Sequence, residues 1–77
     1  MKFEVGKTYR KKNYCDGIEY YKYYYISRKS ENYIWVKYHK DLVEEKRHKL
    51  FVYKDEGEYF KDNSSSYVFR RYVEEVE

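Results

Sequence analysis

The segment 20–25, YYKYYY, constrains the fold more than any other stretch, because five of its six residues are tyrosine. Aromatic and β-branched residues favour strands over helices, and the chain contains no proline and no alanine. Side chains alternate between the two faces of a strand, so this segment places phenol rings on both faces of a sheet. The sequence therefore predicts an all-β fold in which some tyrosines face outward.

Turn signals divide the chain into five or six short strands. The predicted strands cover residues 7–13, 18–28, 33–39, 43–54, 58–61 and 67–73. We expect a single domain, residues 1–77, built as a small five- to six-stranded antiparallel meander or an SH3-like barrel. Segment 42–49 also suits a short helical turn, and the last residues, EEVE, are predicted to fray.

The alternation in the second strand separates an inner face from an outer face. Four of its residues are assigned to the inner face: Ile18, Tyr20, Tyr24 and Ile26. The turn that follows is predicted to hold Asn32 in a left-handed conformation. The resulting register pairs Ile26 with Val36, and it pairs Arg28 with Ile34. The outer face then carries four rings, which we call the aromatic stripe: Tyr21, Tyr23, Tyr25 and Trp35.

The aromatic stripe has two interpretations. It is ordinary core if a helical C-terminus or a second subunit covers it, as small domains often require, and the protein is then expected to form a homodimer. Alternatively it is a contact surface, since tyrosine and tryptophan bring large area at low rotamer cost and also stack on bases. Basic residues that would extend such a surface toward phosphates or an acidic partner are Arg10, Lys11, Lys12 and Arg28. Lysines on an exposed edge strand also prevent it from pairing with other chains. The other interpretation of this cluster is therefore an edge strand whose lysines keep the protein soluble.

The charge distribution does not favour bare nucleic acid over other partners. The net charge is +3, yet residues 1–29 carry eight basic and three acidic side chains, whereas residues 55–77 carry three and seven. A dedicated DNA-binding domain is usually basic throughout. A protein surface, a nucleoprotein complex or a small anionic ligand such as a nucleotide therefore fits at least as well as bare nucleic acid.

The cellular setting is predicted from the single cysteine and from the absence of apolar runs. Cys15 has no partner for an internal disulfide, which indicates a reducing compartment. No apolar stretch reaches the ~18 residues of a membrane span, and the first residues lack the apolar segment of a signal peptide. We expect a cytoplasmic protein that does not associate with a membrane.

Catalytic chemistry is not predicted. His39, His48 and Cys15 do not have the spacing of a tetrahedral metal site. A cysteine–histidine nucleophile pair needs a third, orienting group, and the sequence suggests none. We therefore expect no catalytic residues, no metal and no cofactor.

Four stretches together resemble a family of short proteins encoded by phages and mobile elements of low-GC Gram-positive bacteria. They are FEVGKTYR at the start, the Cys15-Asp16 turn, ISRKSENYIWV, and EGEYF. Proteins of this size and setting include anti-CRISPR and other anti-defence inhibitors. The resemblance implies a non-enzymatic protein that binds a host defence complex or sequesters a signalling nucleotide.

Overall fold

The computed structural model describes residues 1–64 and 66–76. Within them, seven antiparallel strands form one sheet that curls into a half-barrel, in the order β6-β5-β4-β3-β2-β1-β7. The strands are β1 Thr8–Cys15, β2 Ile18–Lys29, β3 Tyr33–Lys37, β4 Lys46–Tyr53, β5 Gly57–Asn63, β6 Ser66–Phe69 and β7 Glu74–Val76. The predicted all-β antiparallel fold is confirmed, with one strand more than the largest number expected.

The segment considered for a helical turn, residues 42–49, is not helical. Residues 42–45 form a loop, and β4 begins at Lys46. Glu45 holds the end of this loop against β2, because its carboxylate accepts a hydrogen bond from the Ser27 hydroxyl at 2.5 Å and pairs with Arg28 at 3.4 Å. These contacts with β2 hold the end of the loop beside the sheet, where β4 begins.

The C-terminal residues predicted to fray form β7 instead. Glu74–Val76 pairs antiparallel with residues 8–10 of β1. Two ion pairs support this pairing: Arg10 with Glu74 at 2.6 Å, and Lys7 with Glu75 at 3.6 Å. The acidic tail is therefore drawn to the basic first strand, and β1 is not an edge strand over this stretch.

A β-bulge in β2 changes the predicted pairing with β3. Ile26 lies opposite Val36 as predicted, but Arg28 lies opposite Trp35 rather than Ile34. The left-handed conformation predicted for Asn32 is also wrong, since the described non-glycine residues with positive φ are Asp16 and Lys54. A bulge inserts one residue and re-aims those that follow it. Here it turns Arg28 to the outer face.

The core lies inside the curl of the sheet. Its apolar side chains include Phe3, Tyr9, Tyr24, Ile26, Ile34, Val36, Leu50, Phe60, Val68 and Val73. Phe60 is central, with its ring centroid 5.4 Å from that of Phe3 and 5.6 Å from that of Tyr24. The inward assignment of Ile18 and Tyr20 is wrong. Ile18 is 69% exposed and Tyr20 is also exposed, because the β1–β2 hairpin projects beyond the core.

The N-terminal segment closes one end of the half-barrel. Phe3 inserts its ring into the core, and its backbone N–H donates to the buried Glu58 carboxylate at 2.8 Å. Lys29 pairs with the same carboxylate at 2.7 Å and donates to the Phe3 carbonyl at 2.9 Å. Gly57 permits this approach, because a Cβ there would lie 2.6 Å from the Met1 carbonyl oxygen.

Candidate interaction surface

The structure places the aromatic stripe on the outer face of β2 and β3. Tyr23 is 40% exposed, and Tyr21, Tyr25 and Trp35 are half-buried. A helical C-terminus does not cover these rings, because residues 74–76 lie beside β1 as a strand. That part of the core interpretation is wrong.

Two arginines lie against rings of the stripe. The Arg10 guanidinium carbon is 4.2 Å from the Tyr21 ring centroid, and that of Arg28 is 4.4 Å from the Trp35 ring. Such cation–π contacts are worth about 0.5–1 kcal/mol at exposed sites. They hold each guanidinium in one orientation on the outer face, and the bulge in β2 is what brings Arg28 there.

Three of the cations around the stripe are paired within the chain. Arg10 pairs with Glu74, Lys12 pairs with Glu19 at 3.0 Å, and Arg28 pairs with Glu45. The face therefore combines aromatic rings with locally neutralised charge. A bare polyanion would have to displace these carboxylates before it could reach the guanidinium groups.

Lys11, the fourth predicted basic residue, lies away from this face. Its ammonium spans the open seam of the half-barrel, donating to the Tyr67 carbonyl at 2.7 Å and to the Ser66 hydroxyl at 3.1 Å. Burial lowers the pKa of this ammonium. Lys11 thus links β1 to β6 and closes the fold rather than extending the stripe.

A groove of about 330 Å³ borders one end of the stripe. Tyr23 and Tyr25 form one wall, and Tyr38, His39 and Lys40 contribute to the other. A volume of this size can hold a side chain from a partner. Anchors in protein interfaces typically fill such pockets.

A buried polar cluster surrounds Asp62, which lies in β5 and outside the predicted strands. Its carboxylate, 1% exposed, accepts hydrogen bonds from Lys22, from Tyr38 at 2.7 Å and from Tyr24 at 3.0 Å. The signal available in the sequence is Lys22, which alternation places on the inner face between tyrosines. A cation that points toward a core requires an anionic partner, and that requirement points to a carboxylate in a facing strand.

The ionisation of this cluster follows from its contacts. Burial alone would raise the pKa of Asp62, but the hydrogen bonds from Lys22, Tyr38 and Tyr24 outweigh it and lower the pKa. Burial and the Asp62 carboxylate raise the pKa of Tyr24 and Tyr38, so both phenols remain donors. The cluster is therefore an ionised carboxylate held by three donors, an arrangement that stabilises the core.

His48 gives this cluster a pH dependence. Its ring stacks on Phe60 with centroids 5.1 Å apart, its Nε2 lies 4.0 Å from Asp62, and burial lowers its pKa. A histidine with a lowered folded-state pKa stabilises the fold fully above its unfolded pKa of about 6.5, and that stability is lost as the pH falls toward the folded value.

We expect the melting temperature to fall between pH 7.5 and pH 5.0 because of His48. The variant His48→Gln should largely abolish this decline, and His39→Gln, at the exposed histidine, should retain it. Thermal unfolding followed by circular dichroism across the pH range measures both. A decline of equal size in the two variants would show that His48 is not its source.

The remaining candidate groups are separated in the structure. Cys15 lies at the end of β1, and its Sγ contacts the Asp16 carboxylate at 4.0 Å. Residues 1–64 and 66–76 contain no group of three or more histidine, cysteine, aspartate or glutamate side chains that could hold a metal ion. No helix in this part of the chain is long and apolar enough to cross a membrane.

Comparison with known proteins gives no relative. No family model, no curated protein and no solved structure matches the chain. The function is therefore argued from the geometry of the outer face and from the sequence resemblance.

Proposed function

We propose that this protein is a non-enzymatic binding protein that acts in the host cytoplasm by occluding a defence complex of the CRISPR effector type. The resemblance to phage and mobile-element proteins motivates this class of target. The contact face is the aromatic stripe. The observation that supports it is the pair of guanidinium groups held over outward rings, Arg10 on Tyr21 and Arg28 on Trp35.

The chemistry of this face suits a protein surface within such a complex. Tyrosine, tryptophan and arginine are the residues most enriched among interface positions that dominate binding. The arginines are fixed by stacking, so little rotamer entropy is lost when a partner binds. Because glutamates already neutralise Arg10 and Arg28, the face presents carboxylates beside its cations and complements a partner of mixed charge.

Two alternatives use the same residues. A nucleic-acid or nucleotide binder would need Arg10, Lys12 and Arg28 to release their glutamates, and its affinity would fall steeply with salt. A structural homo-oligomer would bury the aromatic stripe between subunits and would have no other partner. Salt dependence and oligomeric state separate both from the proposed function.

The test is capture of purified CRISPR effector complexes by the tagged protein, followed by native mass spectrometry. The double variant Tyr23→Ala/Tyr25→Ala should weaken capture at least about 30-fold, because truncating one central aromatic anchor typically costs about 2 kcal/mol or more. Affinity of the unmodified protein should change little between low and high salt.

The matched control is Tyr14→Ala/Tyr72→Ala, which removes two exposed tyrosines that lie outside the stripe. It should bind as the unmodified protein does, and both double variants should unfold cooperatively. If Tyr23→Ala/Tyr25→Ala folds normally and captures the target with unchanged affinity, the stripe is not the contact face. A stable oligomer that captures no effector would instead support the structural alternative.

A further inference from the structure

The outer face of β3 to β6 differs from the aromatic stripe in its charge. One row across these four strands consists, in order, of Tyr33, Lys49, Lys61 and Tyr67. Lys49 and Lys61 are cross-strand neighbours, because Leu50 and Phe60, the adjoining residues of β4 and β5, are paired. The row therefore places two cations side by side between two tyrosines.

An aromatic row runs parallel to these cations. Phe51, Tyr59 and Phe69 stack across β4, β5 and β6, with centroid separations of 5.1 and 4.6 Å and interplanar angles of 17° and 23°. Beside it is a groove of about 270 Å³ lined by Tyr53, Tyr59, Tyr67 and Phe69. A planar ring that enters this groove would contact aromatic side chains, because all four lining residues are aromatic.

The cations of this face have no carboxylate partner among the described residues. Arg47, Lys49 and Lys61 instead lie against rings, with their charged groups 4.6 to 5.4 Å from the ring centroids. The acidic residues of strands β3 to β6 are Glu58 and Asp62, and both side chains are buried in the core. Like charges opposite each other weaken a sheet, so an anion bound here would relieve a repulsion that the described part of the chain leaves unrelieved.

We propose that this outer face of β3 to β6 binds single-stranded nucleic acid. Arg47, Lys49 and Lys61 contact the phosphates, while bases stack on the exposed rings of Tyr33 and Tyr67 and enter the aromatic groove. Interleaved cations and aromatic rings are the usual means of holding single strands, whose base faces are free to stack. A second copy of this chain is a poor occupant, because it would bring the same cations together.

This inference stands apart from the proposed function. It uses different residues, and it requires no partner protein. The two cations of the stripe that stack on rings are paired with glutamates, whereas the three on this face are paired with none of the described carboxylates. That contrast is the reason for assigning a polyanion to this face and a protein to the other.

The test is fluorescence anisotropy of the full chain with fluorescein-labelled (dT)12, (rU)12 and a 12-base-pair DNA duplex. Each phosphate contact contributes about −0.7 to the slope of log affinity against log salt on single strands. Three contacts therefore predict a slope of about −2. Both single strands should bind more tightly than the duplex, and their ratio reports whether DNA or RNA is preferred.

The charge variant is Lys49→Gln/Lys61→Gln, which should lower affinity for (dT)12 at least about tenfold at low salt and bring the slope to about −0.7. The matched control, Lys2→Gln/Lys7→Gln, removes the same charge from two exposed lysines elsewhere and should change affinity less than about twofold. Tyr67→Leu should weaken binding about fivefold or more without lowering the melting temperature, since one base loses its stacking partner.

Three results would overturn the inference: no binding of either single strand at 50 mM salt, duplex binding as tight as single-strand binding, or equal losses in the two lysine variants. Size-exclusion chromatography with light scattering adds a fourth, namely a stable dimer that excludes the oligonucleotide. None of these results bears on effector capture by Tyr23 and Tyr25. Failure of one proposal therefore leaves the other to be judged on its own measurement.

Discussion

Replacing Phe3 with alanine is expected to lower the free energy of unfolding by about 3–5 kcal/mol, as for other buried phenylalanines. The Phe3 ring is 1% exposed and lies 5.3 Å from Tyr9 and 5.4 Å from Phe60, centroid to centroid. A chain of 77 residues has a total stability of roughly 4–12 kcal/mol. The expected loss is therefore a large part of the total free energy of unfolding. Urea unfolding should show a much lower midpoint and a similar dependence of the free energy on urea concentration.

The control for this prediction is Val5→Ala, two residues further along the same segment. Val5 is exposed, so its truncation should change stability by less than about 0.5 kcal/mol. The pair of variants separates closure of the half-barrel by the Phe3 ring from any general effect of altering the N-terminal segment. Equal unfolding midpoints for Phe3→Ala and the unmodified protein would mean that the ring does not contribute to the core.

The strand content of this fold could be predicted because its signals are local. Alternation and turn residues identify β2 and place Tyr24 and Ile26 in the core, where both are fully buried. Alternation cannot predict the bulge in β2, where the Ser27 hydroxyl contacts the Trp35 carbonyl and the Glu45 carboxylate. A shift of one residue exchanges the two faces of a strand, and for this reason the predicted pairing of Arg28 with Ile34 is wrong.

The outer surface was predictable only in part, because its character depends on contacts between distant segments. Tyr21, Tyr23 and Tyr25 face outward as their spacing predicts. The carboxylates that neutralise Arg10 and Arg28 come from β7 and from the loop before β4. The residues next to either arginine in the sequence do not predict these ion pairs. The basic and aromatic face of β3 to β6 was missed for the same reason, since its rows exist only once four strands are in register.

Replacing Asp62 with asparagine is expected to lower the free energy of unfolding by about 2–3 kcal/mol. Breaking a buried ion pair typically costs about 3–5 kcal/mol, but Lys22 is 38% exposed and water relieves part of its unpaired charge. Asparagine keeps the shape of the side chain and still accepts a hydrogen bond from Tyr38 or Tyr24. The loss of stability therefore measures the contribution of the negative charge. Asp41→Asn, at an exposed carboxylate, is the control and should unfold at an unchanged urea midpoint.

The partner change, Lys22→Met, tests the same pair from the other side. The lowered pKa of Asp62 means that its stabilising contribution is present above the unfolded value of about 3.9 and is lost as the pH falls through the folded value. Without Lys22 the folded-state pKa should rise, so acid unfolding should begin at a higher pH. The double variant Lys22→Met/Asp62→Asn should lose less stability than the sum of the single losses, because each single change leaves an uncompensated group. Additive losses would mean that Asp62 stabilises the core through its two tyrosine hydrogen bonds and not through Lys22.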